Sequence, residues 1–245
     1  MEEQQPQASG GGKFAVPAAI VIAGIIIGGA LIYSNSSSAP GTASVKETIG
    51  EQQAPNDPLE NLKPVTDADH IRGNPNAPVK IVEFSDTECP FCKRFHDTMK
   101  QVMDEYGKAG LVAWTYRHFP LESLHSKAKK EAEALECANE LGGNNAFWTY
   151  ADRLYEITPS NDGLDLAELP RIAEFVGLNR AQFETCLASS KYASKVQTDY
   201  EDAVNAGGMG TPFSIAIAAN GTKTLISGAQ PYSVVKDTIE QALKK

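Results

Sequence analysis

The tetrapeptide Cys89-Pro90-Phe91-Cys92 stands where two different periodicities meet, and that junction limits what this 245-residue chain can fold into. Before it, residues 79–86 (VKIVEFSD) are rich in β-formers and alternate, the pattern of a buried strand. After it, Cys92, Phe95, Met99, Val102 and Tyr106 recur at helical spacing until Gly107 and Gly110 end the run. Residues 111–119 (LVAWTYRHF) read as a second strand, stopped by Pro120. Strand, helix and strand in this order predict a right-handed crossover between parallel strands, with the cysteines at the helix start.

Downstream, residues 126–143 carry strong helix formers and a glycine stop, and residues 145–156 continue in helical period. Another helix is expected over residues 165–177, with a break at Pro170, and one or two more over 179–208. Strand pattern returns at TPFSIAIAANGTKTLISG, where Asn220-Gly221 signals a tight hairpin, and an amphipathic helix closes the chain. The expected fold class is α/β: a mixed sheet of β-α-β and β-β-α halves, with a helical insertion of about residues 121–207 between them.

The apolar run of residues 14–33 (FAVPAAIVIAGIIIGGALIY) has the length of a bilayer-spanning helix, which needs about 20 residues. A cleaved secretory signal is the alternative, but its apolar region is usually about 7–15 residues. Lys13 precedes the run and no Lys or Arg follows until Lys46, so the basic bias places residues 1–13 in the cytoplasm and the rest outside. The organisation expected is a tail (1–13), one transmembrane anchor (14–33), a polar flexible linker (34–77) with a short ordered stretch near VTDADHIRG, and a folded domain (78–245). A net charge of −9 without any Lys/Arg block argues against nucleic acid as a partner.

At a helix start, Cys89 would face unpaired backbone N–H groups and the positive end of the helix dipole, which favour thiolate over thiol. Pro90 suits the first helical position. Cys92, one turn on, comes within bonding reach and is more buried, giving an attacking sulfur and a shielded partner for thiol–disulfide exchange. A zinc site would want four ligands, and the other two cysteines are far apart with no histidine at finger-like spacing. No metal or cofactor is expected. A structural disulfide within CxxC would close a tiny loop and stabilise little.

EFSDTECPFCKRF, the long helical insertion and GMGTPF before a hairpin resemble the DsbA-like thiol–disulfide oxidoreductases of the thioredoxin superfamily, from about residue 78 onward. The resemblance implies a thioredoxin-like fold in which Cys89 is the nucleophile and Cys92 the resolving cysteine. It further implies that Glu83 is a buried acid passing protons to and from Cys92, and that Pro212 is a cis-proline facing the disulfide. Pro90, Phe91 and Thr211 would contact substrate. Reduced secreted or surface proteins would be the substrates, and a membrane quinone-linked thiol oxidase (DsbB- or VKOR-like) would re-oxidise the pair. One departure is Phe91, where strongly oxidising relatives commonly carry histidine; it offers neither charge nor hydrogen bond to a thiolate. A reductase or isomerase direction therefore stays open, as does a copper(I)-binding module on two soft thiolates. Lys93 and Arg94 could add positive potential, while His96 and His125 are expected in surface or capping roles.

Cys137 and Cys186 lie on two helices of the insertion. Outside the cytoplasm an even number of cysteines tends to pair, so they are read as a structural disulfide, with two buried free thiols as the alternative.

Overall fold

The computed structural model describes residues 57–245. The expected tail, the apolar span and residues 34–56 of the linker lie outside the described residues. Among the described residues no helix is long and apolar enough to cross a membrane.

One mixed sheet runs in the order β1-β3-β2-β4-β5, built from β1 (His70–Gly73), β2 (Val79–Ser85), β3 (Val112–His118), β4 (Phe213–Ile217) and β5 (Lys223–Ser227). β2 and β3 are parallel, in register from Val79↔Val112 to Ser85↔His118, and helix α1 (Pro90–Val102) crosses between them. α1 ends in a single π-type turn, Met103–Gly107. β4 lies antiparallel along β2, and β5 pairs with β4 through the Asn220-Gly221 turn, where Gly221 takes a φ of 85°. A residue with a Cβ is strained there, which is why the hairpin uses glycine.

Between β3 and β4 stand α2 (Ala128–Ile157), α3 (Glu168–Phe175), α4 (Arg180–Ser189) and α5 (Ala193–Asn205); α6 (Tyr232–Ala242) ends the fold. α2 is two helices broken at Gly143, whose φ of 72° interrupts the ladder where the sequence places a glycine stop. Pro170 does not break a helix. It sits in the first turn of α3, where its missing N–H would have had no intrahelical partner.

Alternation along β2 divides the core between the two faces of the sheet. Ile81, with Trp114 and Tyr116 of β3, packs against Phe95 and Met99 of α1, Leu135 and Phe147 of α2, and Ile239 of α6. Val82 and Phe84 face the other way and pack with Phe119, Phe213, Ile215 and, from α5, Ala203.

The folded region begins well before residue 78, so the expected flexible linker is too long at its C-terminal end. Residues 58–61 form a 3-10 turn, and β1 pairs antiparallel with β3 from His70↔Tyr116 to Gly73↔Ala113. Four residues reading HIRG are too few and too polar to show a strand period, and long-range partners hold the segment instead. Arg117 of β3 bonds both Asp69 oxygens (2.7 and 3.0 Å), Asp202 of α5 (2.6 Å) and the carbonyls of Lys63 and Pro64 (both 3.0 Å). Against the cost of burial, this guanidinium holds the Asp69 carboxyl below its usual range.

Candidate active site

Cys89 is the N-cap residue of α1, in extended conformation (φ −77°, ψ 121°), and Pro90 occupies the first helical position. The chain enters this cap through a turn in which the Cys89 amide donates to the Asp86 carbonyl at 3.2 Å, and the Cys89 carbonyl accepts the Lys93 amide at 3.1 Å. Both cysteines are unpaired. Cys92 is wholly buried, and Cys89 is more covered than expected of an attacking sulfur, with 5% of the residue exposed. What covers it is the loop before β4: the Cys89 Sγ lies 3.5 Å from the Thr211 carbonyl oxygen, and the Thr211–Pro212 peptide bond is cis. Phe91 is 53% exposed beside this opening, and Met209 on the covering loop is 98% exposed.

The two sulfurs differ sharply in acidity. The Cys92 thiol, Thr211 and the backbone amides of Cys92 and Phe91 bring the Cys89 thiol down to about 6, against the opposing effect of burial. Burial pushes Cys92 well above its ordinary range, and the Cys89 and Glu83 charges push the same way. The Asp86 amide points at the Cys92 Sγ from 3.4 Å.

Glu83 is completely buried on the face of β2 that carries α1. Burial raises its carboxyl to about 7, even though Ser85 Oγ (2.7 Å) and Trp114 Nε1 (2.9 Å) both donate to it. From Ser85 the hydrogen bonding continues to the Tyr155 hydroxyl (2.9 Å) and on to Tyr116 (3.1 Å). The sequence reading missed Ser85, Trp114 and Tyr155. Strand alternation was the available signal for Ser85 and Trp114; Tyr155 lies far along α2 and carries no local mark.

His96 and His125 are not surface groups. His96, buried on α1, bonds Asp152 at 2.7 Å and stacks on Tyr155 with ring centroids 4.5 Å apart, and burial lowers its basicity. His125 bonds the buried Asp86 at 2.9 Å; although burial works the other way, the Asp86 carboxylate and the Cys89 charge favour its protonated form. Asp86 thus ties the strand end to the loop after β3, where it also accepts the Leu121 amide at 2.8 Å. Lys93 is spent on the Thr158 and Glu156 carbonyls (2.6 and 3.3 Å), and Arg94 lies 5.2 Å from the Phe91 ring centroid.

Cys137 and Cys186 are joined by a disulfide, S–S 2.04 Å, that ties α2 to α4. In a separate cluster, His70 and His118 converge on one oxygen of Glu136 at 2.8 and 2.9 Å, all three buried. Both imidazoles hold the Glu136 carboxyl far below its usual range against burial, and the cluster fastens β1 and β3 to α2.

Residues 65–241 match the family model described as Thioredoxin. Among curated relatives, the Na(+)/H(+) antiporter NhaA 1 of Mycolicibacterium gilvum is 36% identical over 148 residues, covering 59% of this chain but 23% of that protein. NhaA 3 of Salinispora tropica is 36% identical over 146 residues, 60% of this chain and 21% of its own length. The chain therefore matches less than a quarter of these relatives. Among solved structures, DsbA2 of Pseudomonas aeruginosa superposes with a TM-score of 0.61 at 26% identity, covering 75% of this chain and 98% of that one. BdbD of Bacillus subtilis gives 0.64 at 23% identity, covering 72% and 94%. With its mixed sheet, its CxxC at a helix start and its helical insertion, the chain belongs to the thioredoxin family and has the fold of the DsbA-type thiol–disulfide oxidoreductases.

Proposed function

We propose that this protein is a dithiol oxidase that introduces disulfides into extracytoplasmic proteins through Cys89 and Cys92, held at the membrane by residues 14–33. The observation that carries the reading is the split between the two sulfurs: an acidic Cys89 at the helix N-cap against the Thr211 carbonyl, and a fully buried Cys92 on the same side of the sheet as an acid poised near neutrality.

The reaction begins with the Cys89–Cys92 disulfide. A substrate thiolate attacks the Cys89 Sγ, forms a mixed disulfide and expels Cys92 as a thiolate. Burial makes a charged Cys92 costly, so it takes a proton, and Glu83, with a carboxyl near 7, is the group that supplies it. The substrate's second thiol then loses its proton and attacks the substrate sulfur, expelling Cys89. The low pKa of Cys89 makes it the better leaving group. The substrate gives up two electrons and two protons, and the dithiol enzyme is left for a membrane quinone-linked thiol oxidase to recharge. Phe91 and Met209 offer an apolar rim to an extended, unfolded substrate, with the Gly210–Thr211 backbone beside it.

Incubating the oxidised full chain with a reduced, unfolded multi-cysteine protein is expected to yield disulfide-bonded product, with C89S inactive. Absence of product, or activity that survives C89S, overturns the assignment. The direction of flow is read by glutathione equilibration. A Cys89 pKa between the ≈3.5 of DsbA and the ≈7 of thioredoxin implies a potential between about −120 and about −270 mV. A value more reducing than thioredoxin's identifies a reductase instead.

A further inference from the structure

Glu88, immediately before Cys89, and Glu131, in the first turn of α2, are both completely buried, and their carboxyls are neighbours. Glu88 Oε2 accepts the Asp162 amide at 2.6 Å. Its other oxygen, both Glu131 oxygens and the Thr87 hydroxyl have no partner among the described residues. Two ionised carboxylates only accept hydrogen bonds, so as charged neighbours they would repel and could not pair with each other. One proton joins the two acids. With Glu131 protonated, its O–H can donate to Glu88 Oε1, and both buried carboxyls gain a partner.

We propose that Glu88 and Glu131 share one proton and act as a positioning pair for Cys89, keeping a single negative charge behind the nucleophile where two acids are buried. The inference rests on the reading of Cys89 as the reacting sulfur. Burial, then the neighbouring Glu88, raises Glu131 to about 9, so the proton is retained through neutrality. The other groups facing the pair leave that assignment intact. Asp86 adds negative charge but is bonded to His125; the Tyr150 phenol is held neutral by burial; and Asp162 is turned toward the Ser126 and Lys127 amides. Sharing a proton gives the pair an asymmetry. Glu88 already accepts the Asp162 amide while Glu131 is placed to donate, so replacing each with glutamine does different things.

The full chain, labelled with 13C in its glutamate carboxyls, is titrated by NMR while Cys89 alkylation by iodoacetamide is followed against pH. Wild type is expected to show a protonated carboxyl at neutral pH, besides that of Glu83, which vanishes in E131Q. E131Q should leave the Cys89 midpoint in place, since the pair keeps its one charge. E88Q should lower it by roughly half a pH unit or more, because a unit charge one residue away is gone. Two fully ionised carboxyls at neutral pH, equal midpoint shifts in both variants, or no shift in either overturns the proposal. So does a Tm increase with Mg2+ or Ca2+ that E131Q abolishes, which would put a cation between the oxygens instead of a proton. The NMR signal needs no variant and no turnover, so a failure here leaves the oxidase assay untouched, and an inactive oxidase leaves the shared proton standing.

Discussion

Replacing Glu83 with glutamine should make the fold more stable at neutral and alkaline pH while damaging the chemistry. The carboxyl is fully buried and raised from 4.5 to about 7. Between those values the folded protein holds a proton that the unfolded chain has released, so stability falls as pH rises through this window and then levels off. The full loss, at about 1.4 kcal/mol per pKa unit, is on the order of 3 kcal/mol. Glutamine never ionises, and it fits the same partners. Its carbonyl accepts from Trp114 Nε1 and its amide donates to Ser85 Oγ, whose own hydrogen can turn to Tyr155. In a C89S/C92S background, which keeps the Cys137–Cys186 bridge, urea unfolding of wild-type Glu83 and E83Q should coincide near pH 4.5 and diverge by about 2–3 kcal/mol by pH 8, with E83Q the more stable. With active cysteines, E83Q should slow the release of Cys92 from the disulfide. Parallel stability curves across the whole range would refute the claim that Glu83 titrates near neutrality.

Reduced protein should be alkylated by iodoacetamide with a midpoint near pH 6, peptide mass mapping should find the label on Cys89, and native Cys92 should stay unlabelled. C137S/C186S removes a bridge spanning 49 residues, and denaturant unfolding should show a loss of about 4 kcal/mol by the loop-entropy relation. R117M leaves Asp69 and Asp202 buried without their cation and should cost roughly 3–5 kcal/mol, with residues 63–69 becoming the first site of limited proteolysis.

The centre of the site was legible because its determinants are local. A strand period, a CxxC and a helix period follow one another within thirty residues, and Pro90 and Asn220-Gly221 mark their own conformations. What escaped was fixed by distant partners. β1 gives no period, and its place in the sheet depends on Arg117, Glu136 and β3. Glu131 and Glu136 read as ordinary polar positions of a strong helix former, yet both are buried, against Glu88 in one case and two histidines in the other. His125, expected in a surface or capping role, instead bonds the buried Asp86 at 2.9 Å. Pro170 misled because a proline is read as a stop unless the helix start is already known.

Arg117 sits opposite Phe84 in the parallel register, on the face of the sheet that turns away from Glu83 and Cys92, and it grips residues 63–69 with four hydrogen bonds and Asp202 with a fifth. Whatever lies upstream of residue 57 therefore enters the fold through an anchorage mounted behind the sheet. That fastening and the reacting sulfurs lie on opposite faces of the sheet, so the strands that seat the segment also screen the angstrom-scale spacing on which exchange depends.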